Sequence, residues 1–168
     1  SDWSSDVCSS DLRLFVSRRF ISDVHEVSYK NFKDFVIHPE ERRWEQVDEK
    51  GKFGTMKTSQ PLDELGYIFW LRTLPLRVGE TYTSDRYFKD DGNPVVIKVV
   101  RKEVKEVPAG TFNTIVVQPS IQTKGLFSQG GKAEIYLSDD AELRIVHLKT
   151  SIPGPGSITL HLKRFTPG

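Results

Sequence analysis

The chain has 168 residues, 37% of them hydrophobic and 11% aromatic, and 24 Lys plus Arg against 23 Asp plus Glu leave a formal charge of +1. That apolar share excludes a disordered chain, and the balanced, scattered charge argues against a dedicated nucleic-acid binder, whose basic residues cluster on one face. No apolar run approaches the ~20 residues that a membrane-crossing helix needs, and a lone cysteine, Cys8, excludes an intrachain disulfide.

Residues 1–12 resemble a common sequencing adapter translated in one reading frame, with Asp2 to Leu12 matching without an error. The expectation is therefore a non-native segment at 1–12, a metagenomic reading frame, and a single β-rich domain at 13–168 truncated at its N-terminus. Without Asp2, Asp6 and Asp11 the 23 acids fall to 20 and the formal charge rises from +1 to +4. Cys8 also leaves, and with it any thiolate metal site. A domain of ~150 residues still buries roughly 68–70% of its unfolded surface, enough for a core.

Strand signals come first along the remaining chain. Residues 24–29 and 32–38 are short β-branched and aromatic runs with a turn at Lys30-Asn31, and alternation puts Phe35 and Ile37 on one face. Residues 43–47 and 52–57 form a second pair around Asp48-Glu49-Lys50-Gly51, a polar turn whose glycine suits positive φ.

One helix follows, at about 62–73. Ser59 or Gln60 caps it, Pro61 suits its first position, and Asp63 and Glu64 complement the dipole. Leu65 and Phe69 are expected to pack it on the sheet. Its middle, Tyr67-Ile68-Phe69-Trp70-Leu71, is apolar nearly all round, and Pro75 ends it.

Every later segment reads as strand: 81–88, 95–107, 112–118, 132–137, 143–150 and 157–165. The turns between them are Asp90-Asp91-Gly92-Asn93-Pro94, Pro108-Ala109-Gly110, Ser138-Asp139-Asp140-Ala141 and Pro153-Gly154-Pro155-Gly156. Tight turns give antiparallel neighbours, because parallel pairing needs long crossovers. The predicted fold is mainly β: a curved antiparallel meander sheet or partial barrel with one packed α-helix.

Three stretches carry a family resemblance. They are Leu71-Arg72-Thr73-Leu74-Pro75-Leu76-Arg77-Val78-Gly79-Glu80, then Val107-Pro108-Ala109-Gly110-Thr111-Phe112, then Gly125-Leu126-Phe127 with 131–140 ending in Tyr136-Leu137-Ser138-Asp139-Asp140. In this order they resemble the bacterial domain-of-unknown-function family numbered three-one-zero-eight, over most of 17–168. The resemblance implies an exported envelope protein, periplasmic or otherwise in the cell envelope, and a curved antiparallel sheet similar to that of the lipoprotein-localisation carriers. It carries over no catalytic residue.

The residues themselves offer little chemistry. His25, His38, His147 and His161 lack paired metal spacing, although His147 and His161 become neighbours if their strands pair. No Gly-x-Ser-x-Gly elbow and no phosphate loop occurs. Asp139 and Asp140 read as turn formers, and Gly110 as a residue chosen for its backbone angle. Arg72 reads as a partner for carbonyls or a carboxylate near the helix end, with a ligand anion as the alternative. Lys98, Arg101, Lys102 and Lys105, diluted by Glu103 and Glu106, read as a solvated sheet face, with an anionic lipid or glycan contact as the alternative.

The functional expectation is a non-catalytic envelope protein that holds an apolar ligand, such as a lipid or lipid-linked glycan, or an envelope partner protein. The alternative is a hydrolase-type envelope enzyme whose key residues lie partly in a missing N-terminal region. The expected lining residues are Trp44, Phe53, Trp70, Arg72, Tyr82, Tyr87 and Phe127. No catalytic residue, metal, cofactor or nucleic acid is expected.

Overall fold

The computed structural model describes residues 3–4, 10–11, 15–26, 29–48, 50–122, 133–152 and 156–166. They fall into two compact units, Ser1–Leu71 with Asp85–Asn93, and Arg72–Ser84 with Pro94–Gly168. The described residues are mainly β, with antiparallel sheets and one short α-helix among them, as the alternation patterns imply.

The first unit holds β1 (Trp3–Ser4), β2 (Ser10–Asp11), β3 (Val16–Ser17), β4 (Arg19–Glu26), β5 (Tyr29–His38), β6 (Arg43–Gln46) and β7 (Phe53–Thr55). Five of these form a sheet in the order β1-β4-β5-β6-β7, while β2 and β3 pair separately. The side chains of Trp3, Val7 and Leu12 lie outside the described residues. β4 and β5 pair without interruption from Arg19↔Val36 to Glu26↔Tyr29. Lys30-Asn31 is therefore strand and not the expected turn. The longer ladder prevails because Phe20-Ile21 extends the β-branched and aromatic pattern upstream. Phe35 and Ile37 are 1% and 2% exposed, as their shared face requires. In the β6–β7 connection Gly51 takes φ +54.

The helix is α1 (Glu64–Trp70), followed by a single 3-10 turn at Leu71–Thr73. Its cap is Asp63, whose carboxylate accepts the N–H groups of Leu65 and Gly66, not Ser59 or Gln60. The start is displaced because Leu62 is held extended. Leu62 donates its N–H to the Arg86 carbonyl and accepts that of Phe88, forming a parallel bridge to Tyr87. The buried stripe rotates accordingly. Tyr67 and Ile68 face inward, whereas Phe69 is 43% exposed and does not anchor the helix.

The second unit holds β8 (Thr81–Ser84), β9 (Val95–Val107), β10 (Gly110–Ser120), β11 (Glu134–Ser138), β12 (Ile145–Ile152) and β13 (Gly156–His161). The expected strand 81–88 stops at Ser84, since Tyr87 and Phe88 belong to the first unit's core. The spatial order β13-β12-β11-β10-β9-β8 is a strict meander, and both predicted hairpins, 95–107 with 112–118 and 132–137 with 143–150, are antiparallel and adjacent. Among the described residues neither the five-stranded nor the six-stranded sheet closes into a barrel. Gly110 takes φ +131 at the β9–β10 reversal. Bulges at Val116/Val117 and Tyr136/Leu137 bend the strands.

One line across this sheet is apolar: Val99, Val117, Ile135 and Leu148 face each other in register, ending at Leu160 on β13. The first four are buried and Leu160, at the edge, is half exposed. Each buried aliphatic side chain contributes about 1.5–3 kcal/mol. The opposite face of the same strands is polar. In the β11–β12 turn Asp140 accepts the N–H groups of Glu142 and Leu143 and the Ser138 hydroxyl, which is the turn-forming role read from the sequence.

Candidate functional site

A chain of aromatic rings runs through the first unit. Trp70 meets Tyr67 edge-on at 5.7 Å, Tyr67 meets Tyr87 at 6.5 Å, and Tyr87 meets Phe88 at 5.0 Å. Phe88 contacts Phe35 at 5.3 Å and Trp44 at 6.3 Å, and Phe20 closes the group. Such tilted and edge-on pairs are the favoured ring geometries. Trp44 can lie against its cross-strand neighbour on β7 because that neighbour is Gly54.

Lys89 reaches into this cluster. Its Nζ sits 3.8 Å from the Phe35 ring centre, 5.0 Å from Trp44 and 5.4 Å from Phe88. These cation–π contacts partly replace lost water. Burial, reinforced by the positive charge of Lys33, still lowers its pKa to about 8.

The expected lining residues divide. Trp44, Trp70 and Tyr87 are brought together, but as links of the packed aromatic chain. Tyr87 is 3% exposed, so it is not an open lining residue as expected. Its burial follows from the Leu62 bridge. Phe53, on β7, is 85% exposed and stands apart. In the second unit Arg72 donates to the Glu142 carbonyl at 2.7 Å, the carbonyl role read from the sequence. The Tyr82 hydroxyl lies 2.6 Å from the Pro75 carbonyl and also reaches Glu80. Phe127 lies outside the described residues.

The polar face of the second unit carries a network that the sequence alone does not reveal. Register places Arg101, Val116, Tyr136, His147 and His161 in one row across five strands, with Gln118 and Glu134 beside it. Arg101 donates to Glu134 through two nitrogens, at 2.8 and 3.1 Å, and also pairs with Glu103. The Tyr136 hydroxyl donates to Glu134 at 2.8 Å, and Gln118 donates at 3.1 Å. The Arg101 guanidinium therefore holds the Glu134 carboxyl down at about 2, while burial pushes the Tyr136 phenol up to about 12. His147 packs edge-on to Tyr136, and its Nδ1 is 3.2 Å from that of His161. Burial, then Lys105, lowers His147 to about 4.

This arrangement is an ion-pair lattice whose Glu134 carboxylate is saturated with donors from Arg101, Tyr136 and Gln118. A carboxylate clamped that low is a weak proton acceptor at neutral pH, and a phenol raised that high is a weak acid. Among the described residues no group of three His, Cys, Asp or Glu side chains is placed to hold a metal. Among them too, no helix is long and apolar enough to cross a membrane.

Fold and side chains together define an open, antiparallel, mainly-β protein with an aromatic core in one unit and a charge-paired sheet face in the other. The chain belongs to the family described as Protein of unknown function (DUF3108), whose profile matches residues 1–163. No curated protein and no solved structure matches it.

Proposed function

We propose that this chain is a non-catalytic binding protein of the bacterial cell envelope, holding an apolar ligand such as a lipid or lipid-linked glycan, or an envelope partner protein. One observation carries the reading: Phe53, on the edge strand β7, is 85% exposed. Alternation puts it opposite the Trp44 face, so the aromatic core does not cover it. Phe32 and Val47, each 50% exposed, add apolar surface to the same unit. Exposed apolar surface at an unpaired sheet edge is what an apolar ligand or a partner strand covers. The saturated ion pairs around Glu134 support a binding role over proton-transfer chemistry. The envelope assignment follows the character of the family that the chain resembles.

The test is retention of extracted envelope lipids by the full chain and by Phe53→Ser. The expected result is lipid retention by the parent and at least a severalfold loss in the variant, with an unchanged melting temperature. No retained lipid, or equal retention by both proteins, overturns the apolar-ligand reading. Fractionation of cells expressing the intact gene tests location, and recovery in the cytosol refutes the envelope assignment.

A further inference from the structure

The opposite face of the same sheet gathers lysines. On β5, alternation puts Lys33 on the side of Phe35 and Ile37. Lys52 lies in register with Gln46, whose N–H it accepts at 2.6 Å, and two residues before Gly54 on the Trp44 side. Lys89 comes from the segment after Phe88 and lies against Phe35 and Trp44. Lys33 and Lys52 are near enough to Lys89 for both charges to disfavour its protonation, after the larger effect of burial.

An ammonium in a folded protein ordinarily meets water or a carboxylate. Among the described residues, Lys89 Nζ lies over three aromatic faces, those of Phe35, Trp44 and Phe88. Asp91 and Glu64 act on it favourably but only through space. Asp48, at the β6 end, is occupied with the Gln46 amide and the backbone N–H groups of Asp34 and Lys50. Among the described residues the local balance is thus positive, half-buried and short of an acceptor. A compact anion with several oxygens would relieve the repulsion and satisfy the ammonium groups, and lysine binds phosphate well as a point charge.

We infer that Lys33, Lys52 and Lys89 form a binding site for a phosphate group, walled by Trp44 and floored by Phe35. The site needs no apolar ligand and lies on the face opposite Phe53, so it stands or falls apart from the function proposed above. Free phosphate and a phospholipid headgroup present the same chemistry, and both are tested.

The full chain is titrated with inorganic phosphate, with vesicles containing phosphatidylglycerol, and with neutral phosphatidylcholine vesicles. Binding is read by titration calorimetry for inorganic phosphate and by co-sedimentation for the vesicles, in the parent and in both variants. Binding of inorganic phosphate identifies a free-anion site. Binding to phosphatidylglycerol vesicles alone identifies a headgroup site. Either result supports the inference when Lys89→Met and Lys52→Gln each weaken binding roughly tenfold, the scale expected when one charge-assisted contact is lost. Lys89→Met keeps the apolar stem against the rings, and Lys52 is exposed, so the second variant reports even if the first folds poorly. No response to phosphate or anionic vesicles, equal response to neutral vesicles, or unchanged affinity in Lys52→Gln overturns it.

Discussion

His147 and His161 stand directly opposite each other on β12 and β13, with their Nδ1 atoms 3.2 Å apart. A hydrogen bond between two ring nitrogens requires that one of them be unprotonated. His147 meets that requirement at neutral pH, because burial and the nearby Lys105 disfavour its charge. The pair therefore ties the edge strand β13 to β12 through side chains as well as through the ladder, in a strip where a second positive charge would be unfavourable.

Acid should loosen this strip in a defined window. His147 falls from an ordinary 6.5 to about 4 in the fold, so the unfolded chain takes up the proton first as pH drops. Stability is present above 6.5 and is lost as pH falls from there toward 4. His147→Gln should flatten the dependence of the urea midpoint over that interval. An equally steep loss in the variant would show that His147 is not responsible.

Glu134 controls a separate, more acid interval. Its carboxyl is held at about 2 chiefly by Arg101, against an ordinary 4.5, so its contribution is full above 4.5 and disappears as pH falls toward 2. Arg101 is 39% exposed in its side chain and Glu134 20%, so solvent screening limits the pair. Arg101→Met should cost about 1 kcal/mol at neutral pH, with a shallower acid limb below pH 4.5. A variant as stable as the parent, with the same acid limb, would show that the network adds nothing.

The fold was legible where local chemistry and pairing agreed. Gly51 and Gly110 announced their turns, and the alternations at 95–107 and 132–137 announced the hairpins that form. The helix start was misplaced because Pro61 and Ser59 are good local signals, while Leu62 is claimed by a bridge to Tyr87 that no nearby residue betrays. The same long-range bridge pulls 85–88 out of the strand predicted for it. The His147–His161 approach was foreseeable from strand pairing. The Arg101–Glu134–Tyr136 lattice was not, since it depends on a register set by two bulges. No sequence pattern marked Lys89, because its aromatic surroundings come from residues 35, 44 and 88, which only the fold unites.

The two phenylalanines Phe35 and Phe69 should separate sharply. Phe35 is 1% exposed at the centre of the ring cluster, whereas Phe69 is 43% exposed on α1. Phe35→Ala should cost about 3–5 kcal/mol, and Phe69→Ala well under half of that. Denaturant midpoints of the two variants decide it. A larger loss at Phe69 would mean that the helix packs through the face first expected from the sequence.

Gly54 should tolerate no side chain, for reasons of space and not of backbone angle. A methyl group there would lie 2.7 and 2.8 Å from atoms of the Trp44 indole, closer than real contacts allow. Trp44 cannot yield freely, because Phe35 and Phe88 meet it edge-on at 5.7 and 6.3 Å and Lys89 lies over its ring. Gly54→Ala should therefore cost about 1–3 kcal/mol, the range for forcing extra volume into packed surroundings. It should also shift the tryptophan emission as the indole is displaced toward solvent. Gly51→Ala separates the two causes: that glycine has φ +54 and nothing within 4 Å of the added carbon, so it carries only the left-handed backbone penalty, about 1–2 kcal/mol, and should leave the emission unchanged. If Gly54→Ala matches the parent in both midpoint and emission, the close seating of Trp44 on β7 is wrong, and with it the wall assigned to the phosphate site.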